Sequence, residues 1–343
     1  MKQLSTINKV IYVINMLVAF VLLLAFVLPF LPPKTYSVLS VLNLGVPFLI
    51  LSNVLFFLYW LFRVRKQLIL SLGVLVIGQI AFGSLYKFSS SKKIENPSNF
   101  KVMNYNVRLF NLFDWIPEKD IDTKIIEFVK KQEPAILCIQ DYHPRKNNDL
   151  AFFKYKYEHL SGKKIKHGQA IFSQFRIINS GSVEFPNTSN NAIFADVVKG
   201  KDTIRIYNVH LESLRINTQI DSLKNANSER LFNRVSSTFK MQQSQTELLL
   251  NHKANCRYKT IICGDFNNTA FSYVYRKIKG DLNDTFLEAG NGFGRTYDFK
   301  FFPVRIDYIF ADDAFSVNGF KSYNEHFSDH YPISTTLSLS NDN

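Results

Sequence analysis

The chain is poor in cysteine, poor in acid over its first third, and without internal repeats. Only Cys138, Cys256 and Cys263 occur in 343 residues. Their odd number and wide spacing argue against both a disulfide framework and a zinc site. Cys138 and Cys263 lie inside apolar runs, where a small thiol is buried. The first hundred positions hold nine Lys/Arg against the single Glu95, an excess of +8. The remainder holds 32 basic against 27 acidic residues, so it supplies only +5 of the net charge of +13. A nucleic-acid footprint needs basic charge clustered on the folded domain. Here most of the excess sits beside apolar segments, where it sets membrane orientation. No low-complexity tract shapes the reading.

What the first third has in abundance is hydrocarbon. Residues 11–31, 38–62 and 68–86 read as three membrane spans, each near the roughly twenty residues a bilayer requires. The first is too long for a signal-peptide core and ends at Pro32 and Pro33, with no small-residue cleavage site after it. The second closes on Tyr59 and Trp60, rings that favour the membrane interface. Asn15, Asn43, Asn53 and Gln79 are expected to hydrogen-bond between helices. Lys2, Lys9, Arg63, Arg65 and Lys66 flank the spans on one side, and only Lys34 lies in the loop between the first two. The positive-inside rule puts that basic side in the cytoplasm and everything after Tyr86 outside, in the periplasm where there is one.

Residues 1–87 are thus a transmembrane region, 88–99 a polar linker, and 100–343 a water-soluble domain. From Phe100 onward β-type runs alternate with helical patterns. Ile121, Ile125, Phe128 and Val129 mark a helix over 120–131, and a second stripe covers 239–252. Residues 213–237 read as a long surface loop. The histidines His143, His159, His167, His252 and His326 have no nameable partner and are expected to be exposed or in loops.

Five β-type runs each carry polar, chemistry-bearing residues at one end. They are Val102–Asn106, Ile136–Asp141, Ile206–His210, Ile261–Asn267 and Arg305–Ile309, followed by Ser328-Asp329-His330. Mg²⁺ takes oxygen ligands, usually one or two carboxylates with retained waters. Asn106, Asp141 and Asp329 offer that set. Phosphate ester hydrolysis further needs an activated water and donors for developing negative charge. Asp265 and Asn267 suit the water, and His210 and His330 suit the phosphoryl oxygens. Asp307 suits a partner that orients the His330 imidazole.

These segments, in this order, resemble the endonuclease/exonuclease/phosphatase superfamily, and the similarity covers roughly Phe100 to Leu339. Gly264-Asp265-Phe266-Asn267 paired with Ser328-Asp329-His330 is the specific part, supported by Gly168-Gln169-Ala170-Ile171-Phe172-Ser173. The three spans together with Ser272-Tyr273-Val274-Tyr275-Arg276 are similar to a membrane-tethered bacterial subgroup. The resemblance implies a four-layer α/β sandwich, two packed mixed β-sheets flanked by helices, preceded here by three transmembrane helices. It implies that Asn106, Asp141 and Asp329 bind Mg²⁺ or Mn²⁺, and that His210 and His330 contact the scissile phosphate. Asp307 would orient His330, and Asp265 with Asn267 would position or deprotonate the attacking water. One departure stands out: the family usually has Glu where Gln140 is followed by Asp141, which shortens the reach by about 1.5 Å.

The implied function is a membrane-anchored, divalent-metal-dependent phosphoesterase acting on nucleic acid or on a phospholipid head group. A sphingomyelinase-like lipid hydrolase is one alternative, and a catalytically inactive anchored binding module, motivated by Asp141, is another. Residue by residue the bland readings are a turn at Asn106, a buried His210, and an Asp307 paired structurally with Arg305. Arg215, Arg230, Arg276 and Arg295 are candidates for substrate phosphate or for plain surface arginines. The expected partners are the phosphate ester and the bilayer; the residues name no protein partner and no oligomeric state.

Overall fold

The computed structural model describes residues 4–83, 86–88, 93–144, 149–215, 228–300 and 302–339. Two six-stranded mixed sheets pack face to face. The first sheet has the order β11 (Phe315–Ser322), β12 (Ile333–Leu339), β1 (Phe100–Asn106), β2 (Ile136–Tyr142), β4 (His167–Ser173), β3 (Tyr155–Ser161). The second has the order β5 (Arg176–Glu184), β6 (Asn191–Lys199), β7 (Asp202–His210), β8 (Lys259–Asp265), β10 (Asp307–Ala311), β9 (Asn283–Asp284). At the centre of each sheet lies one parallel pair, β1 with β2 and β7 with β8.

Side chains alternate between the two faces of a strand, and that alternation builds the layers. Phe100 and Val102 on β1, Ile136 and Cys138 on β2, Ile204 and Ile206 on β7, and Ile261 and Cys263 on β8 all enter one buried cluster between the sheets. The intervening residues face outward. Met103, Leu137 and Ile139 meet α5 (Ile121–Gln132), while Tyr207, Val209, Ile262 and Phe310 join a cluster with α6 (Ser228–Ala254) and α7 (Tyr273–Lys279). A short α8 (Thr285–Ala289) lies against β11. The four-layer sandwich expected from the motifs is what the chain forms.

Helix α5 matches its predicted stripe, with Ile121, Ile125, Phe128 and Val129 buried. The 239–252 stripe is instead the second half of a longer helix. Only 213–215 of the expected loop is irregular in the described residues; 216–227 lies outside them, and 228 onward is helical. The 88–99 segment is anchored where it is described, Lys93 bridging to Gly319, and Lys87 just before it bridges to Gly292.

The first third folds as α1 (Thr6–Ala25), α2 (Pro33–Val41), α3 (Val46–Phe62) and α4 (Leu68–Phe82). By length and composition two segments suffice to cross a membrane, Thr6–Phe30 and Pro33–Phe62. The third expected span is shorter than 68–86, because Gly83 in a left-handed conformation ends α4 after 15 residues. That is about 22 Å of helix, against a hydrocarbon core of about 30 Å. The second expected span also breaks, at the 3₁₀ turn Leu42–Gly45, and α2 packs on α6 of the sandwich. Its Lys34 backbone N–H donates to the Gln243 side chain (2.7 Å), and its ammonium pairs with Glu247.

α1, α3 and α4 pack as an up-down-up bundle. Tyr59 near the end of α3 bonds Asn8 at the start of α1 (2.7 Å), while Phe26 contacts Phe82, and Phe82 contacts Phe271 of the sandwich. Inside, Asn15 donates to Ser71 (2.7 Å) and accepts from the Trp60 indole (3.0 Å). The interhelical role expected of Asn15 is thus seen. Asn53 differs, bonding Leu49 of its own helix, and Asn43 is buried with neither side-chain polar atom partnered. A helix interior offers Asn53 a carbonyl four residues back, and that local bond wins over one across the bundle.

Candidate active site

The inward phase of the central strands changes character toward one rim. After Phe100 and Val102 come Asn104 and Asn106; after Ile136 and Cys138 comes Gln140. After Ile204 and Ile206 come Asn208 and His210, and after Ile261 and Cys263 comes Asp265. Antiparallel β10 enters at the same rim with Asp307 ahead of Ile309 and Ala311. Register aligns His210 and Asp307 on either side of Asp265. The alternation that packs the core therefore delivers these side chains to one place.

The polar residues form two tiers. In the inner tier Gln140 donates to Asn104 (2.7 Å) and to Asn208, and Asn208 donates to the Ile139 and Ala170 carbonyls (2.8 and 3.1 Å). This tier ties the two sheets together where the hydrophobic layer ends. In the outer tier the buried Asp265 carboxylate accepts from Asn106 Nδ2 (3.0 Å), the Asn267 backbone (2.8 Å) and Asn267 Nδ2 (3.2 Å). His210 Nε2 and His330 Nε2 face the same carboxylate at 3.6 and 3.7 Å. Gly264 allows this crowding: a Cβ there would lie 2.1 Å from the Val209 carbonyl oxygen of the neighbouring strand.

His330 Nδ1 donates to Asp307 Oδ2 at 2.9 Å, so the orienting pair expected between them is formed. Burial alone would lower the imidazole pKa, yet the adjacent Asp307 and Asp265 carboxylates outweigh it and hold the ring well above its ordinary value. Burial pushes the Asp307 carboxyl up, with His330 opposing. Asp307 does not pair with Arg305, whose guanidinium instead meets Asp284 (2.7 Å). Tyr297 stacks edge-on against His330 with ring centroids 5.0 Å apart.

Asp141 is out of phase with the inward residues. A register irregularity between Ile139 and Tyr142, with φ 48° at Asp141, re-aims its side chain. Its carboxylate lies 3.7 Å from His210 Nδ1. Asp329 sits beside Asn106, since Ser328 Oγ donates to the Asn106 carbonyl (2.9 Å) and lies 3.3 Å from the Asp329 carboxylate. Arg108 joins them: its backbone donates to Asn106 Oδ1 (3.0 Å) and its guanidinium meets Asp329 Oδ2 (3.3 Å). Among the described residues, the one His/Cys/Asp/Glu group with ligand atoms all within 4.8 Å of one another is Asp265, Asp307 and His330. That is not the trio expected to bind metal.

Sequence reasoning missed Arg108, Tyr297 and the structural role of Gln140. Arg108 follows Asn106 by two positions, and Gln140 has the inward phase of its strand; those were the available signals. Nothing local marks Tyr297, which reaches His330 through a backbone bridge between distant segments. Several side pieces find partners that the sequence left open. Arg295 pairs with Asp298, and Arg276 lies over the Phe30 ring (4.1 Å) at the junction with the helices. His252 bonds Tyr207 (2.8 Å), while His159 on β3 faces Glu184 (3.2 Å).

A hydrolase built on paired mixed sheets, with carboxylates, amides and imidazoles at one rim, is the class this arrangement defines. Residues 103–330 match the model of the endonuclease/exonuclease/phosphatase family, and the chain belongs to that family. Residues 8–85 match a model described as a domain of unknown function. Among solved structures, an endonuclease/exonuclease/phosphatase from Beutenbergia cavernae is 15% identical with a TM-score of 0.52, covering 71% of this chain and 72% of its own. A family protein from Bacteroides thetaiotaomicron is 18% identical with a TM-score of 0.53, covering 72% and 100%. The human Nocturnin catalytic domain, solved with a sulfate anion, is 19% identical with a TM-score of 0.52, covering 71% and 94%. At these identities the likeness is one of fold. No curated protein matches the chain.

Proposed function

We propose that the chain is a membrane-anchored phosphoesterase that splits a phosphate ester with an activated water and uses Mg²⁺ or Mn²⁺. The observation that carries this reading is the convergence on one buried carboxylate. Asn106, Asn267, His210 and His330 all come within 3.7 Å of Asp265. Family membership supports phosphate ester hydrolysis as the reaction.

Asn106, Asp141 and Asp329 would hold the ion. Their chemistry fits a hard cation, being oxygen donors with two carboxylates, and Asp329 already draws the cationic Arg108. A bound ion supplies positive charge against the negative charge that builds on the phosphoryl oxygens. The remaining steps belong to the side chains. Asp265, with Asn267 beside it, orients the water and accepts its proton. His330, held in one orientation by Asp307, donates toward the phosphoryl group, and His210 does so from the neighbouring strand.

The charge distribution of the bundle supports a proposed anchoring and orientation. Lys9, Arg63, Arg65 and Lys66 lie at the end of the helices remote from the sandwich, while Phe26, Phe48 and Phe82 lie at the end beside it. With α1, α3 and α4 all crossing, the bilayer thinning to meet the shorter α4, the positive-inside rule would put the catalytic domain outside the cytoplasm.

The test is turnover of bis(4-nitrophenyl) phosphate by the full chain in nanodiscs, with Mn²⁺ or with chelator. Chelation should abolish turnover, and His330→Ala should slow it by about 10²–10⁴-fold, the usual worth of a proton-transfer group. Chelator-resistant turnover, or full activity of His330→Ala, would overturn the reading. So would the absence of Mn²⁺ binding at millimolar concentration, which would leave an anchored binding module.

A further inference from the structure

A cavity of about 300 Å³ opens between the helices and the catalytic rim. Pro47 and Phe48 at the start of α3 form one wall, Phe302 and Val304 of the sandwich the opposite one. Asn267 and Tyr297 also line it, and these two touch Asp265 and His330. The lining of the cavity is mostly apolar, with Ser213, Arg215, Asn268 and Thr269 among its polar members, and it includes neighbours of the site. Phe302 belongs also to a second, larger groove of about 530 Å³, lined by Ile50 and Leu51 of α3 and Leu72 and Leu75 of α4. The Phe48 and Phe302 rings meet at 6.3 Å where the two spaces adjoin. The two spaces share Phe302 as a wall, and together they offer an apolar path from the outer face of the helices toward the residues around Asp265.

Resting on the phosphoesterase reading above, we propose that the substrate is a membrane amphiphile, a phosphate ester bearing a hydrocarbon chain. The chain lies along this path, and the ester reaches the rim between His210 and His330. Three observations select a lipid chain over other occupants. The path begins between helices whose outer surfaces are apolar, with Leu51, Leu55, Leu72 and Val76 exposed. Among the described lining residues of the inner cavity, Arg215 is the one cation, and it leans on Glu212 (3.4 Å). A nucleic acid strand needs a basic groove along its backbone, which this wall does not offer. A hydrocarbon chain needs only burial.

The reaction stays balanced with water as sole co-reactant. Water oxygen bonds to phosphorus, the ester P–O bond breaks, and the leaving oxygen takes a proton.

The experiment uses the full chain in nanodiscs and a series of alkyl 4-nitrophenyl phosphates, methyl to dodecyl, each below its micelle concentration. kcat/KM should rise with chain length, at most about fourfold per methylene buried, until the chain outgrows the path. Val304→Trp, which fills the cavity, should flatten that rise. Phe48→Ser, which makes the wall polar, should also lower it and serves if the first variant does not fold. A flat series in the unmodified protein overturns the inference while leaving the phosphoesterase reading intact. So does a rise that survives both substitutions, and so does faster turnover of a dinucleotide than of the dodecyl ester. No turnover of any ester, methyl included, sinks the phosphoesterase reading itself.

Discussion

Between Thr6 and Phe82 the large apolar side chains point outward and the polar ones inward, whereas between Phe100 and Leu339 that order is reversed. Ile7, Phe20, Phe62 and Ile80 are exposed on the helices, and Asn15, Ser71 and the Trp60 indole bond inside them. In the sandwich the interior is Ile, Val, Cys and Phe until the strands reach one rim, where Asn, Gln, His and Asp take over. In the helices Asn15, Ser71 and Trp60 bond one another, while Asn43 keeps both side-chain polar atoms and Asn53 its Oδ1 without a partner. The sandwich rim carries many buried polar groups, some of them unpartnered, including Asn104 Nδ2, Gln140 Oε1 and Asp307 Oδ1. Unpartnered buried polar atoms are costly, and those at the rim lie where the proposed ion and phosphate ester would bind.

Substitutions of the two polar clusters should separate these roles. Asp265→Asn removes the carboxylate on which four side chains converge. We expect kcat for the chromogenic diester to fall by about 10²–10⁴-fold with the thermal transition retained. Gln140→Leu breaks the inner tier, leaving Asn104 and Asn208 without their shared donor. That should destabilise the sandwich by about 1–3 kcal/mol, read as a fall in Tm, with activity lost only in proportion to unfolding. Asn15→Leu deletes two bonds of comparable length inside the helices. Such bonds average only about 0.6 kcal/mol in a bilayer, so the shift in nanodiscs should be clearly smaller than for Gln140→Leu. If the two shifts were equal, the contrast between the regions would fail. Lys34→Ala cuts the half-exposed Lys34–Glu247 pair that joins α2 to α6. An exposed pair is worth roughly 0–1 kcal/mol, and raised salt should erase even that difference.

The sandwich and most of the rim were legible because strand alternation and site placement obey the same period of two. Once Val102 and Cys138 are inward, Asn106 and Gln140 must be inward too, and the same holds for His210 and Asp265. Asp307 with His330 was legible from chemistry alone, an imidazole beside a carboxylate. Asp141 was named from its residue type, but its orientation was not legible, because a register irregularity removes it from the alternation. Tyr297 and the Arg108–Asp329 pair depend on contacts between segments far apart in sequence, whereas the break between α2 and α3 falls at Gly45 and Pro47, residues that locally interrupt a helix. The length of α4 was overestimated because hydropathy continues past Gly83, where the backbone turns left-handed and the helix stops.

The central claim is that water, activated beside Asp265, attacks phosphorus. Hydrolysis of bis(4-nitrophenyl) phosphate in H₂¹⁸O with Mn²⁺, followed by ³¹P NMR, tests it most directly. One labelled oxygen on the product phosphate, and none in nitrophenol, is the expected result, lost in Asp265→Asn. Label in nitrophenol, or an unlabelled phosphate product, would contradict the account.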